Sequence, residues 1–253
     1  MALGDPALVR AIAGGLHVRS MANGVFVAAS GTGVGKTFVA RGVVAALRSA
    51  AIRIVGLKPI ETGCRPFPED ARALARAAGV FEVVDELGFH RVGLPLSPYA
   101  AALMGEPAVD FSRLVETTRA VSERFDFSVV EGAGGLLVPL DATRDLSDLA
   151  GALALPLLLV APNRLGVLSH VRTAVEAARA RQLAITAVVL TEVDQFPDPS
   201  AETNGAILRE RLGLPVLSFP FCPDDDQSLG AAAEASGITR LLLSGWPGSG
   251  SRT

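Results

Sequence analysis

Short aliphatic runs recur along this chain without alternating apolar and polar residues. They lie at 24–29 (GVFVAA), 52–57 (IRIVGL), 127–130 (FSVV), 155–161 (LPLLLVA) and 185–190 (ITAVVL), with a weaker one at 215–219. A strand with one wet face alternates. A strand covered on both faces does not, and such strands belong to parallel sheets held between layers of helices. Amphipathic stretches separate the runs, as at 167–183 (VLSHVRTAVEAARARQL), so strand and helix succeed one another along the chain. The predicted fold class is therefore α/β, a doubly wound, mostly parallel sheet.

The chain has 253 residues, 49% of them hydrophobic, enough to bury one large core. Residues 22–244 are expected to form a single domain. Residues 1–21 read as a poorly ordered extension, with Asp5 and Pro6 able to open a short helix, and 245–253 as a flexible tail. The net charge of −3 and the absence of any Lys/Arg run argue against nucleic acid or an anionic membrane as the main partner, which leaves small molecules. The longest apolar run, 152–162, is short and interrupted by Pro156, so no membrane span is expected. Cys64 and Cys222 lie far apart and outside any metal-ligand spacing, which fits a reducing, cytoplasmic setting.

Ligands of doubly wound sheets gather at the carboxyl ends of the strands. The residues that follow the five strong runs are SGTGVGKT, KPIETG, EGAGG, NRLG and TEVD. The first is a glycine-rich turn from strand to helix, where free backbone amides and the positive helix end attract an anion. Lys36 would reach the outer phosphates, and the Thr37 hydroxyl would ligate Mg²⁺. Ser30 stands at the first glycine of the G-x-x-x-x-G-K-[ST] pattern, so the loop is a variant of it. Glu131 closes a buried strand, where a carboxylate needs a cation; either it faces that Mg²⁺ or it caps the next helix. Gly132 and Gly134 let backbone approach phosphates closely. Asp70 is either a helix N-cap or a second metal carboxylate. Lys58 either snorkels to solvent or stabilises charge in phosphoryl transfer. Thr62 either binds substrate or makes a turn. His170 at a helix start reads as a capping or packing residue, His17 and His90 have no partners in view and no nucleophile–base set is evident, so phosphate chemistry without a covalent enzyme intermediate is expected.

Taken together, ASGTGVGKT, GLKPIETGC, VVEGAGGLLVPL and LGVLSH resemble the ATP-dependent dethiobiotin synthetase family over roughly residues 22–243. The resemblance implies a ligase of biotin biosynthesis with ATP as co-substrate and Mg²⁺ as cofactor. It implies 7,8-diaminononanoate and CO₂ as substrates, and a homodimer with active sites at the subunit interface. Carried over by position, Thr32, Gly33, Val34, Gly35, Lys36, Thr37 and Phe38, with Gly132, Ala133 and Gly134, would hold the nucleotide's phosphates. Thr37, Asp70 and Glu131 would hold Mg²⁺, and Lys36 and Lys58 would be catalytic. Thr191, Pro220, Phe221 and Cys222 would meet the base. Thr62 and Pro98 would line the substrate cleft, and Gly166, Val167, Leu168 and Ser169 would offer a helix start to the carboxylate tail of a substrate held by the other subunit.

The chain departs from the family pattern in two places. Ala29, Ser30 and Gly31 replace the start of the usual GTDTGVGKT, and Thr191 stands where many members carry an asparagine for the base. Two other readings stay open at the level of sequence. An amidoligase of cofactor biosynthesis would need room for a glutaminase domain, and a partitioning-type ATPase switch would need a lysine where Gly31 stands.

Overall fold

Each aliphatic run becomes a strand. The computed structural model describes residues 23–196 and 198–244. Its strands are β1 (Gly24–Ala29), β2 (Ile54–Leu57), β3 (Ile60–Thr62), β4 (His90–Val92), β5 (Phe127–Glu131), β6 (Leu157–Pro162), β7 (Ile185–Thr191) and β8 (Val216–Phe219). Six of them form one sheet in the order β2-β5-β1-β6-β7-β8, and every pairing is parallel. The expected extension at 1–21 and tail at 245–253 lie outside the described residues.

The helices are α1 (Lys36–Ser49), α2 (Glu69–Ala78), α3 (Pro98–Leu103), α4 (Phe111–Ser122), α5 (Leu146–Leu153), α6 (Val167–Ala180), α7 (Ala201–Leu212), α8 (Asp226–Ala235) and α9 (Ile238–Ser244). Alternate residues of β1 point to opposite layers. Val25, Val27 and Ala29 pack with α1, α2, α8 and α9, through side chains such as Val43, Leu74, Leu229 and Ile238. Phe26 and Ala28 pack on the other side with α4 to α7, through Leu114, Leu149, Val171 and Leu208. Two apolar layers thus exclude water from both faces, which is why the central strands carry no polar alternation.

The parallel pair β3–β4 forms a separate ribbon that the aliphatic pattern does not announce. Its strands are three residues long and include Glu61, His90 and Arg91, so hydrophobic periodicity has nothing to register there. The ribbon matters because it carries the chain from β2 towards α2 beside the carboxyl edge of the sheet.

Candidate active site

The site begins with the loop between β1 and α1. Gly33 and Gly35 take positive φ, +69° and +83°, which a side chain would oppose. A Cβ on Gly35 would also press on the Thr191 side chain at 3.2 Å. Gly35 is the N-cap of α1 and supplies no capping side chain, so the first-turn amides of this helix remain directed at whatever enters the loop. Beneath the loop Thr191, 3% exposed, donates its hydroxyl hydrogen towards the Val34 carbonyl at 2.8 Å, with the Ala161 carbonyl at 3.2 Å.

Register then brings three strand tips together. Leu57 lies opposite Val130 in the β2–β5 pair, so Lys58 emerges alongside Glu131. Val27 lies opposite Glu131 in the β1–β5 pair, which sets that carboxylate below the loop that follows β1. Lys58 Nζ donates to Glu131 Oε1 at 2.5 Å, to Asp70 Oδ2 at 2.9 Å and to the Gly132 carbonyl at 3.2 Å. The Thr37 hydroxyl donates to Glu131 Oε1 at 2.9 Å, and Lys36 Nζ stands 3.6 Å from the same oxygen.

Charge sorting in this cluster follows from burial and neighbours. Burial works against the Lys58 ammonium, but the carboxylates of Glu131 and Asp70 outweigh it and hold its pKa above the ordinary lysine value of 10.5. Burial dominates at Lys36, only partly offset by Glu131 and reinforced by the Lys58 charge, and its pKa is lowered. Asp70 also resists burial, and the Lys58 ammonium overcomes that resistance and depresses its pKa below 3.8. Glu131 is fully buried, and its Oε2 has no hydrogen-bond partner among the described residues. A buried carboxylate oxygen left bare beside a Thr hydroxyl, a second carboxylate and a phosphate-type loop is an acceptor set suited to a small hard cation.

A cavity of about 1030 Å³ opens over this cluster. Thr32 to Phe38 wall one side, with Ala133, Gly134 and Val138. Lys58, Asp70, Thr62, residues 95–98, Arg41 and Asp224 also line it.

The comparisons with known proteins bear on the same elements. A profile described as an AAA domain matches residues 23–223. The ATP-dependent dethiobiotin synthetase of Anaeromyxobacter dehalogenans is 42% identical over 203 residues, 79% of this chain and 91% of that protein. The Haloferax mediterranei protein of the same name is 37% identical, over 75% and 80% of the two chains. That of Xanthomonas oryzae pv. oryzae is 33% identical, over 84% and 96%. The chain belongs to the dethiobiotin synthetase family. Among solved structures, the cell division ATPase MinD of Pyrococcus furiosus aligns with a TM-score of 0.52 at 18% identity, over 87% of this chain and 99% of that one, which supports the P-loop α/β fold alone.

Several residues singled out from the sequence of this family member sit as the site would need, and others do not. Asp70 is not a helix N-cap: that place belongs to Pro68, and the Asp70 carboxylate turns to Lys58 instead. Glu131 caps no helix and Lys58 does not reach solvent; each is the other's partner. Thr191 lies under the loop with its hydroxyl already engaged and does not line the cavity. Pro220, Phe221 and Cys222 also stand back from the lining, and Asp224 reaches it instead. Gly166, Val167, Leu168 and Ser169 begin α6 outside the cavity of their own chain.

Sequence reasoning passed over Arg41 and Glu61. Arg41 Nε and Nη2 donate to Asp226 and Nη1 to Asp224, tying the segment after β8 to α1. The signal was the acidic triplet Asp224, Asp225 and Asp226 facing a lone arginine one turn past the phosphate loop. Glu61 accepts the Asp70 and Ala71 amides, both at 2.9 Å. Equally unannounced was a side-chain chain in which Asn204 of α7 donates to Asn163 after β6, and Asn163 donates to Glu192 after β7.

Proposed function

We propose that this protein is an ATP-dependent dethiobiotin synthetase that joins 7,8-diaminononanoate and CO₂, releasing ADP and phosphate. One amine nitrogen takes up CO₂ and sheds a proton to become a carbamate. A carbamate oxygen attacks the γ-phosphorus of ATP as ADP departs, giving a carbamic–phosphoric anhydride. The second amine nitrogen attacks the carbonyl carbon, phosphate leaves, and the ureido ring closes. The observation that carries this reading is Lys58, a buried ammonium gripped by Glu131 and Asp70 next to the phosphate loop. A lysine whose pKa is raised cannot act as a base near neutral pH, so its task is electrostatic: it opposes negative charge growing between carbamate and γ-phosphate. Lys36 and the α1 amides receive the phosphates, and Thr62, which lines the same cavity, would bind the diamine.

Thr37, Asp70 and Glu131 would hold Mg²⁺. Among the described residues no group of three or more His, Cys, Asp or Glu side chains is arranged to bind a metal unaided, which agrees with an ion shared between one or two carboxylates and the substrate's own phosphates. Bound there, Mg²⁺ would neutralise phosphate charge. The dimer reading rests on the place of α6, which starts outside the cavity of its own chain beside Leu165, 81% exposed. A second copy would direct that N-terminus to the diamine's carboxylate. No described helix is long and apolar enough to cross a membrane. The relatives favour a synthetase over an amidoligase or a partitioning switch.

Incubation with diaminononanoate, ATP, Mg²⁺ and ¹³C-bicarbonate, followed by mass spectrometry, tests the assignment. Dethiobiotin labelled at the ureido carbon is expected. ATP hydrolysis without that product would overturn it.

A further inference from the structure

Three residues beyond Lys58, Glu61 is 6% exposed, and both oxygens of its carboxylate are used on backbone. Oε1 accepts the Asp70 amide and Oε2 the Ala71 amide, each at 2.9 Å. These are first-turn amides of α2. The residue before that helix is Pro68, which has no side-chain acceptor, so the turn's free donors are met by a strand residue from across the site. Asp70 in turn sends its carboxylate to Lys58. A closed circuit results: Lys58, along the backbone to Glu61, across two hydrogen bonds to the start of α2, and back through the Asp70 side chain to Lys58. Residues 63–68 connect β3 to α2, and their own backbone bonds run chiefly to the β4 side, as in Cys64 to Val92 and Gly63 to Leu94. The place of Asp70 relative to Glu131 is therefore fixed by Glu61 in addition to the packing of α2.

We infer that Glu61 is a positioning residue that sets the Asp70 carboxylate against the nucleotide–metal centre, and so governs cation affinity without touching the phosphates. This rests on the Mg²⁺ reading above. A merely structural cap would instead influence only the stability of α2. The distinction is measurable in the intact protein by calorimetric binding of ATP at graded Mg²⁺ concentrations, without diamine, for wild type, Glu61→Gln, Asp70→Asn and the double variant. Glutamine keeps one acceptor but turns an amide donor on the second backbone N–H.

Displacing the support of a metal ligand weakens metal binding by about 10-fold or more, so Glu61→Gln is expected to raise the Mg²⁺ midpoint by about that factor. ATP affinity at saturating Mg²⁺ is expected to change by less than about twofold, and Glu61→Gln in the Asp70→Asn background to add nothing further. A Mg²⁺ midpoint unchanged in Glu61→Gln, or an effect that adds fully to that of Asp70→Asn, overturns the proposal. Glu61→Asp, which retains both oxygens on a shorter arm, provides a second variant should the glutamine form fail to fold, with the same two outcomes. Failure of the synthetase reading would show separately, as wild-type protein that makes no labelled dethiobiotin.

Discussion

Lys58, Lys36 and Asp70 share a few ångströms of space, yet each answers burial differently, and that difference assigns their work. Lys58 has two carboxylate partners and keeps its proton; in the role proposed above, removing it deletes a donor aimed at developing charge, worth about 10²–10³ in kcat for a preorganised site. Lys58→Ala is thus expected to lower kcat by about that factor, while ATP affinity, measured by calorimetry, changes only a few-fold. Lys36→Ala should depress both kcat and ATP affinity, since its ammonium belongs to the phosphates in the ground state as well as in the transition state. Equal and mild effects from the two would remove the division of labour. Asp70 gives a pH signature. Its folded pKa lies below the ordinary 3.8, so in the acid range the unfolded chain binds more protons than the folded one, and stability present above that range is lost as pH falls through the folded value. Asp70→Asn should flatten this acid limb in urea titrations at graded pH, with the neutral-pH end affected instead by Lys58 losing a partner.

At the scale of elements, α1 does two things at once. Its N-terminus serves the phosphates, and its body lies close against α8. Gly42 is the contact: a Cβ there would stand 2.6 Å from the Leu229 carbonyl oxygen, a backbone atom that cannot swing aside. Alanine favours a helix interior over glycine by about 1 kcal/mol, but overpacking of this kind costs about 1–3 kcal/mol. Gly42→Ala is accordingly expected to lower unfolding free energy by about 1 kcal/mol, measured in denaturant, against the direction that helix propensity alone gives. Arg41, one residue earlier, fastens the segment after β8 to this helix, and both Arg41 and its partner Asp224 line the cavity. The six-stranded sheet was legible because each strand is a dense aliphatic run, whereas β3 and β4 were not: each is three residues long and offers a single buried aliphatic side chain, Ile60 or Val92, beside polar neighbours.

For the whole molecule, the dimer proposed above would share its chemistry between copies. Each cavity contains Lys58, while the α6 start with Ser169 lies outside it. If a second copy completes the site, Lys58→Ala and Ser169→Arg will each leave turnover strongly reduced, and mixing the two variants will restore activity through heterodimers that own one intact site. No recovery after mixing, with both variants dimeric by sedimentation, would place the whole site in one chain. The sequence by itself determined the strand–helix alternation, the parallel class of sheet and the glycine-rich loop, and put Lys36 and Thr37 at a helix start and Lys58 and Glu131 at strand ends, because these are written in local pattern: aliphatic density, glycine spacing, and charged residues where apolar runs stop. Tertiary structure alone decided that β5 lies between β1 and β2, bringing Lys58 to Glu131 across 73 residues of chain, that Asp70 turns inward instead of capping its helix, and that Glu61 holds it there. Strand order and side-chain direction are long-range consequences of burying both faces of one sheet, and nothing in a residue's immediate neighbours encodes them.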